Sequence, residues 1–567
     1  QGHKTNLYSP NENRSPVFAF VEPEMVVEVQ EEVGSDGKIL KAISRNQCLS
    51  ILEKLVDRGA RAVVVSFQNS FANPVHELAV RNLVREEFPP QYLGRIPIFL
   101  SHEVAKIADD EVRTSSAVVD AYVHSKMANY LYKAEDVLKE NMYRRSLTLV
   151  NSDGALSTIS RTKALATIGS GPAAGVIGAY SISRQLYGSS EVLTFDVGGT
   201  SLDLGLAGGK APSVSYYLNV EGCEIFQPTI DVMSVAIGGG SVVKLKEDGG
   251  LEIGPESVGS FPGPVCFDNG GSELTVTDAN LLLGYLDPNG FHGGRMVLNP
   301  QSAVNVVKEK FADPLGKQVS DACLEVKRGA DNIMINAFKG FIAERNVGSG
   351  LGAYCFGGGG PVHACAILSG VPQLDYIRVF PFSSEFSAMG CCMLDATYHA
   401  YREFRRDEIE SLDGILQHLA EEMMRDAEAE GFAPEKAMIN STIYFEQGRS
   451  LLPINEGLEK LQLALGNSRG PFVLSSILTI PSPKPLEFGK KRYSSEDPSA
   501  ACRTTRLAYW RDLGPVQTKI YELERMENGN LVEGPAIIQA EDTTIALEPG
   551  FKYVVDEYGN GEIRRLG

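Results

Sequence analysis

A chain of 567 residues is too long for one compact core and divides into three or four modules of ordinary size. With 43% hydrophobic and 22% charged residues and no apolar run of membrane-spanning length, its composition is that of a soluble globular protein and excludes a membrane helix. A formal charge of −19 argues against nucleic acid as a partner, since phosphate binding draws on clustered Lys and Arg, and the isolated basic runs Arg402–Arg406 and Gly489–Arg492 are expected to be solvated faces.

The chain opens on Gln1 rather than Met, as expected of a sequence whose upstream segment was removed or left out; no signal peptide is visible. Residues 1–118 are expected to form an α/β module. Asn46–Arg58 has helical spacing, and Arg61–Phe67 is a short β-branched run typical of a buried parallel strand. A helix over Pro74–Glu87 and a strand over Ile96–Ser101 complete a βαβ rhythm. Nine cysteines show no CxxC pair, so neither a disulfide framework nor a zinc ribbon is expected; apolar surroundings predict buried, inert thiols in a reducing cytoplasm.

Residues 119–400 are glycine-rich and are expected to hold the chemistry. Leu165–Ile168 reads as a strand, followed by Gly169-Ser-Gly-Pro-Ala-Ala-Gly175 and a helix to Gln185, which is Rossmann-like order. Two features argue against a dinucleotide site: Pro172 removes an N–H where a pyrophosphate needs one, and Asp196 heads a second glycine turn instead of closing a ribose site. That second turn, Val192 to Leu206, runs an apolar strand into Asp196-Val-Gly-Gly-Thr-Ser-Leu-Asp203 and back out. A bare Gly-Gly turn would be an ordinary hairpin. Here Gly198 and Gly199 let backbone N–H groups approach phosphate oxygens, Thr200 and Ser201 add hydroxyl donors, and Asp196, with Asp203 nearby, can hold Mg²⁺ through water. Ser234–Ser241 is a further strand ending in Gly238, Gly239 and Gly240. Gly352–His363 carries a strand through Gly357, Gly358, Gly359 and Gly360 into a helix, where side-chain-free backbone admits a purine or ribose and the helix N-terminus an anion. His363 at that helix start is expected to pack or cap, or else to lie near a nucleotide.

Residues 401–567 begin with an acidic helix pattern over Ile409–Ala429 and continue with strands such as Pro471–Leu474 and Thr543–Leu547, predicting a β-rich C-terminal module. Lys484–Ala501 has no period and is expected to be a mobile loop. Gly466-Asn-Ser-Arg-Gly470 fits G-x-S-x-G, but a helix pattern precedes it and a strand follows, the reverse of a nucleophile elbow; no G-x-x-x-x-G-K-[ST] motif occurs.

Three glycine-rich strand ends in this order resemble an actin/hexokinase/heat-shock-ATPase (ASKHA) nucleotide-binding fold, with the Asp196–Asp203 hairpin like its second phosphate loop and Gly357–Gly360 like its adenosine loop. Those motifs, with Ser170–Gly175, Gly254–Cys266, Thr275–Asn280, Phe356–Pro361 and Val532–Ile538, also resemble the hydantoinase A and 5-oxoprolinase family over nearly the whole chain. The family includes the ATP-binding subunits of acetone and acetophenone carboxylases. Two departures stand out: no Asp-x-Gly-Gly-Thr-Phe-Thr-Asp loop precedes Asp196, so the leading segment is expected to be absent, left out or supplied otherwise and the N-terminal part of the fold incomplete here, and Gly359 stands where relatives often have alanine.

The resemblance implies an ATP- and Mg²⁺-dependent subunit that activates a ketone enolate or bicarbonate by phosphorylation, working with hydantoinase-B-like and smaller carboxylase subunits in a cytoplasmic hetero-oligomer. A cyclic-amide hydrolase or a non-catalytic scaffold subunit are the alternatives. It assigns Mg²⁺ and catalysis to Asp196 with Asp203, backbone donation to phosphate to Gly198, Gly199 and Thr200, and adenosine contacts to Gly357–Gly360. Asp278 and Glu256 are weaker candidates for the same site, with conformational or turn-stabilising roles expected ahead of it.

Overall fold

A computed structural model describes residues 16–89, 91, 96–188, 191–209, 212–404, 408, 411–433, 435, 437–445, 450–454, 472–481 and 488–566. The Gln1 start, the Gly466–Gly470 motif, Pro471 and residues 484–487 of the predicted loop lie outside these described residues. Contacts divide the chain into two compact units, each gathered from separate stretches: residues 1–170, 214–230 and 395–483 in one, residues 171–213, 231–394 and 484–567 in the other.

The first unit opens with the expected βαβ rhythm. Helix Arg45–Asp57 starts at Ser44, whose side chain accepts from the Gln47 N–H, and helix Val75–Glu87 follows the parallel-paired strand Val63–Val65, whose partner is Ile98–Leu100. Cys48, Leu52, Val80, Leu83 and Val84 are the buried faces of those helices and pack against Val63, Val65 and Leu100. A 31-residue helix, Asp110–Glu140, begins with an Asp109 cap and crosses the boundary placed by sequence at 118. Hairpin Val214–Val220/Cys223–Ile230 lies against it, with the Phe226 N–H donating to Ser116 Oγ at 2.9 Å. Helix Leu412–Ala429 buries Leu412, Leu419, Met423 and Ala427 against a four-stranded sheet that includes Ala396–Phe404 and Phe472–Ile480. The strand expected over Leu165–Ile168 is instead the 3-10 turn Ala164–Thr167: the Thr167 hydroxyl donates to the Ala164 carbonyl and Asp120 accepts from the Leu165 N–H, which leaves no ladder to pair.

The second unit is built on an eight-stranded sheet. Its strands are β1 (Glu191–Val197), β2 (Leu202–Gly208), β3 (Val232–Val235), β4 (Leu351–Phe356), β5 (Leu374–Val379), β6 (Leu531–Glu533), β7 (Phe551–Val555) and β8 (Gly561–Arg565). Their order is β3-β2-β1-β4-β5-β8-β7-β6, with β1, β2 and β3 antiparallel neighbours and β1, β4 and β5 parallel. Val192–Phe195 and Ala353–Phe356 are buried on both faces, which is why these continuous apolar runs take the centre of the sheet. Helix α1 (Ser170–Tyr187) leads into β1; α2 (Val276–Leu282), α3 (Val319–Arg345) and α4 (Gly360–Gly370) follow, and Phe338 of α3 meets the Phe195 ring edge-on at 5.3 Å. A four-stranded sheet formed by Cys502–Trp510, Gly514–Glu522, Ala536–Gln539 and Thr544–Leu547 completes the unit.

Residues 488–501 have almost no regular structure, as expected, but are tied down: the Lys491 N–H donates to the Glu557 carbonyl at 2.6 Å, Asn530 Nδ2 to the Ser495 carbonyl at 2.7 Å, and the Leu531 N–H to the Glu496 carbonyl at 2.9 Å. Six cysteines are buried, but Cys391 and Cys392 are exposed, because their short helix packs through Phe386 and Gly390 and turns its last residues outward. No helix among the described residues is long and apolar enough to cross a membrane.

Candidate functional site

The three glycine-rich strand ends meet at one edge of the large sheet. Sheet order places the turn after β3, the β1–β2 hairpin and the turn after β4 side by side. Hydrogen bonds then join them directly. The Gly239 N–H donates to the Gly198 carbonyl at 3.0 Å, the Gly240 N–H to the Gly199 carbonyl at 2.7 Å, and the Gly359 N–H to the Val197 carbonyl at 3.0 Å. Within the hairpin the Gly198 N–H, expected as a phosphate donor, instead closes the turn onto the Ser201 carbonyl, because the tight turn brings the two together.

The glycines serve different ends. A Cβ on Gly238 would lie 2.6 Å from the Gly198 carbonyl oxygen, so that position must be bare for two backbones to touch. Gly357 has φ +78°, and a Cβ there would sit 2.1 Å from Asp196 Oδ1. Gly198 and Gly199 differ: neither has positive φ, and a Cβ on either meets nothing within 4 Å. The N–H groups of Gly199 and Thr200 find no partner among the described residues, and both residues are exposed. The protein's own packing therefore gives no reason for side chains to be missing at the hairpin tip.

Asp196 ends β1 in register with Asp203 on β2 and with Phe356 on β4. Among the described residues no cation and no hydrogen-bond donor reaches its half-buried carboxylate, so burial, and then the charge of Asp203, push it up to about 6. Asp203 is better satisfied: Ser234 Oγ donates to it at 2.5 Å and Ser201 Oγ at 3.4 Å. A raised carboxylate opposes folding once it ionises, so that penalty is absent below the unfolded value of 3.8 and complete above about 6. In metal-free protein, Asp196→Asn is therefore expected to melt higher than wild type at pH 8, with the gain shrinking toward pH 4. Equal gains at the two pH values would remove this assignment of the charge.

Sequence reasoning missed the residues that brace the turns. Thr277 at the start of α2 donates from both N–H and Oγ1 to the Gly239 carbonyl, at 2.8 and 2.9 Å. Ser383 accepts the Gly357 N–H through its carbonyl at 2.8 Å, and Thr543 Oγ1 donates to the Gly358 carbonyl at 3.3 Å. Only Thr277 carried a signal, as part of the Thr275–Asn280 motif.

Three watched residues lie outside the cradle. Asp278 forms a capping box with Thr275 and accepts from the Val265 and Cys266 N–H groups, the turn-stabilising role expected of it. Glu256 makes an exposed ion pair with Lys244 at 2.6 Å. His363 is buried, with Nδ1 2.6 Å from Asp331 Oδ1; burial outweighs the carboxylate and pushes the imidazole below its ordinary range. Its role is packing.

Comparison with known proteins places this geometry in context. Family models described as hydantoinase/oxoprolinase, hydantoinase/oxoprolinase N-terminal region and hydantoinase/oxoprolinase C-terminal domain match residues 113–399, 1–88 and 469–561. The acetophenone carboxylase gamma subunit of Aromatoleum aromaticum is 31% identical over 95% of this chain and 79% of its own length. A nucleotide-free structure of acetone carboxylase, from work on ATP-dependent acetone carboxylation, has the same fold with a TM-score of 0.81 at 24% identity, covering 95% of this chain and 81% of its own. The ATP-dependent caprolactamase from Pseudomonas jessenii superposes with a TM-score of 0.76 at 25% identity, covering 95% and 82%.

Proposed function

The chain belongs to the hydantoinase/oxoprolinase family, and from that premise we propose that it is the ATP-using, kinase-like subunit of a multi-subunit ketone carboxylase. The observation that carries this reading is the pair Gly198 and Gly199: unstrained glycines whose Cβ positions are empty, at the tip of a hairpin where the Gly199 and Thr200 N–H groups have no partner among the described residues. A triphosphate is the ligand such a tip suits, because small residues let its oxygens approach the backbone. The position of Gly357–Gly360 beside the hairpin supports an ASKHA-type reading, with the adenosine against that turn and the start of α4 facing anionic oxygens.

The donor set suits Mg²⁺. Asp196 is a half-buried carboxylate held close to Asp203 with no cation among the described residues, and a hard ion that keeps most of its water needs only one or two such ligands. When bound, the ion supplies charge neutralisation on the phosphate oxygens. The chain's own groups position the triphosphate: Gly199 and Thr200 through N–H donors, Thr200 and Ser201 through hydroxyls. Gly238, Gly239 and Gly240 hold the hairpin in place from the side. A ketone enolate or bicarbonate oxygen then attacks the terminal phosphorus in line, and the bond to the departing nucleotide breaks as the new P–O bond forms. Such a transfer depends on positioning and charge, not on a covalent protein intermediate. Carbon–carbon bond formation would be shared with hydantoinase-B-like and smaller subunits.

Similarity to caprolactamase favours a second reading, in which the same transfer activates a cyclic amide for hydrolysis. Two measurements test the pair. Calorimetry with Mg-ATP should show binding to wild type and at least a hundredfold loss in Asp196→Ala; equal, negligible affinity of both would make the chain a scaffold. Phosphate release by the native complex with acetophenone or acetone, against caprolactam or 5-oxoproline, separates carboxylase from amide hydrolase.

A further inference from the structure

Residues Ser257–Phe267 form an arch rooted at both ends in the walls of the glycine cradle. At its first foot, Ser257 Oγ donates to the Gly199 carbonyl at 3.4 Å and the Val258 N–H to the Gly240 carbonyl at 3.0 Å. At its second foot, the Cys266 N–H donates to Asp278 Oδ1 at 2.8 Å, one residue from Thr277, which itself bonds the Gly239 carbonyl. That foot also reaches toward the turn after β4. Phe267 meets Phe291 at 5.8 Å between ring centroids, His292 Nδ1 lies 3.2 Å from Asp542 Oδ1, and the Asp542 carbonyl would touch a Cβ on Gly358 at 3.1 Å. The arch is thus bonded to the phosphate hairpin at its first foot, and its second foot is linked through Phe291, His292 and Asp542 to the turn assigned to adenosine.

Its second foot is buried, its first half-buried and its apex exposed. Gly263, Pro264, Val265 and Cys266 are buried, whereas Phe261 at the apex is 80% exposed, more than any other large hydrophobic residue among the described residues. Two residues of chain separate it from Val258, so its Cα lies no more than about 11 Å from that of Val258, whose N–H makes the Gly240 contact. A largely exposed aromatic ring, on an anchored loop bonded to a phosphate cradle, is an arrangement by which proteins hold a nucleobase through its π-face.

We propose that Phe261 is the platform on which the purine of the bound nucleotide stacks, on the side opposite Gly357–Gly360. This rests on the nucleotide reading above. The test is calorimetry in Mg²⁺ with two ligands, ATP and inorganic triphosphate, on wild type, Phe261→Ala and Phe261→Trp, with thermal melting as a fold control. Stacking contributes about tenfold in affinity per base, so Phe261→Ala should bind ATP about tenfold more weakly and triphosphate as wild type does, and Phe261→Trp should retain ATP. Unchanged ATP affinity in Phe261→Ala would overturn the proposal and leave the ring to a partner subunit. Equal losses of ATP and triphosphate would also overturn it, because the ring would then support the arch and not the base. If wild type binds neither ligand, the nucleotide reading falls and takes this inference with it; if wild type binds both, the reading stands whatever Phe261 does.

Discussion

Lys327→Met is expected to lower folding stability by about 3–5 kcal/mol, the cost of removing one partner from a buried ion pair. Lys327 on α3 is 4% exposed, with Nζ 3.0 and 2.9 Å from the two Asp331 oxygens and 3.7 Å from Glu548. Burial works against both charges. For Lys327 the charges of Asp331 and Glu548 win and hold the ammonium above its ordinary range; for Asp331, Lys327 and His363 win and hold the carboxylate below its own. Without the ammonium, Asp331 keeps only a buried imidazole that burial drives toward neutrality, and a cavity of about 40 Å³ beside it offers room for little more than one water molecule. Urea unfolding followed by circular dichroism reads the loss. The double variant Lys327→Met/Asp331→Leu should recover most of it, since removing both charges leaves none uncompensated. A loss under about 1 kcal/mol would mean that solvent, not Lys327, neutralises Asp331. The cluster matters to the site because His363 and Asp331 tie α4, which begins at Gly360, to α3.

Gly357→Ala should abolish nucleotide binding, with a loss of at least a hundredfold, and also lower the melting temperature. The left-handed alanine alone costs about 1–2 kcal/mol, and the clash adds to it. The local consequence is larger. The new Cβ would stand 2.1 Å from Asp196 Oδ1 and 2.7 Å from the Val197 carbonyl, so either the carboxylate or the strand end must move, and both belong to the proposed metal and phosphate cradle. Gly198→Ala is the matched control. Its Cβ meets nothing within 4 Å and its φ is ordinary, so the variant should melt like wild type yet bind Mg-ATP more weakly, because the added methyl occupies ligand space. Wild-type affinity for Mg-ATP in Gly198→Ala would sink the assignment of that tip to a triphosphate.

These contrasts show where sequence reasoning was sufficient. The β1–β2 hairpin, the turns after β3 and β4 and the helices Arg45–Asp57 and Val75–Glu87 are readable because each depends on residues close in sequence: apolar runs bounded by glycine, or a cap followed by helical spacing. The Leu165–Ile168 segment was misread because a short apolar run looks alike in a strand and in a buried 3-10 turn, and only Asp120, 45 positions away, decides between them. Cys391 and Cys392 sit among apolar neighbours in sequence, but the direction in which their helix faces is set by what Phe386 and Gly390 pack against. The same holds for His363, whose partner Asp331 lies on another helix.

Legible in the residues alone are the glycines that terminate three strands, the Asp196 and Asp203 that flank one of those turns, and the lack of an apolar run long enough for a membrane helix. Tertiary structure alone decided that the three turns touch, that Gly357 clears the Asp196 carboxylate, that Gly238 clears a backbone and that Gly198 and Gly199 clear nothing in the protein. The reason is one of range: a turn's conformation follows from local sterics and hydrogen bonds, whereas the space around it follows from strand order, which burial of apolar faces between residues hundreds of positions apart selects.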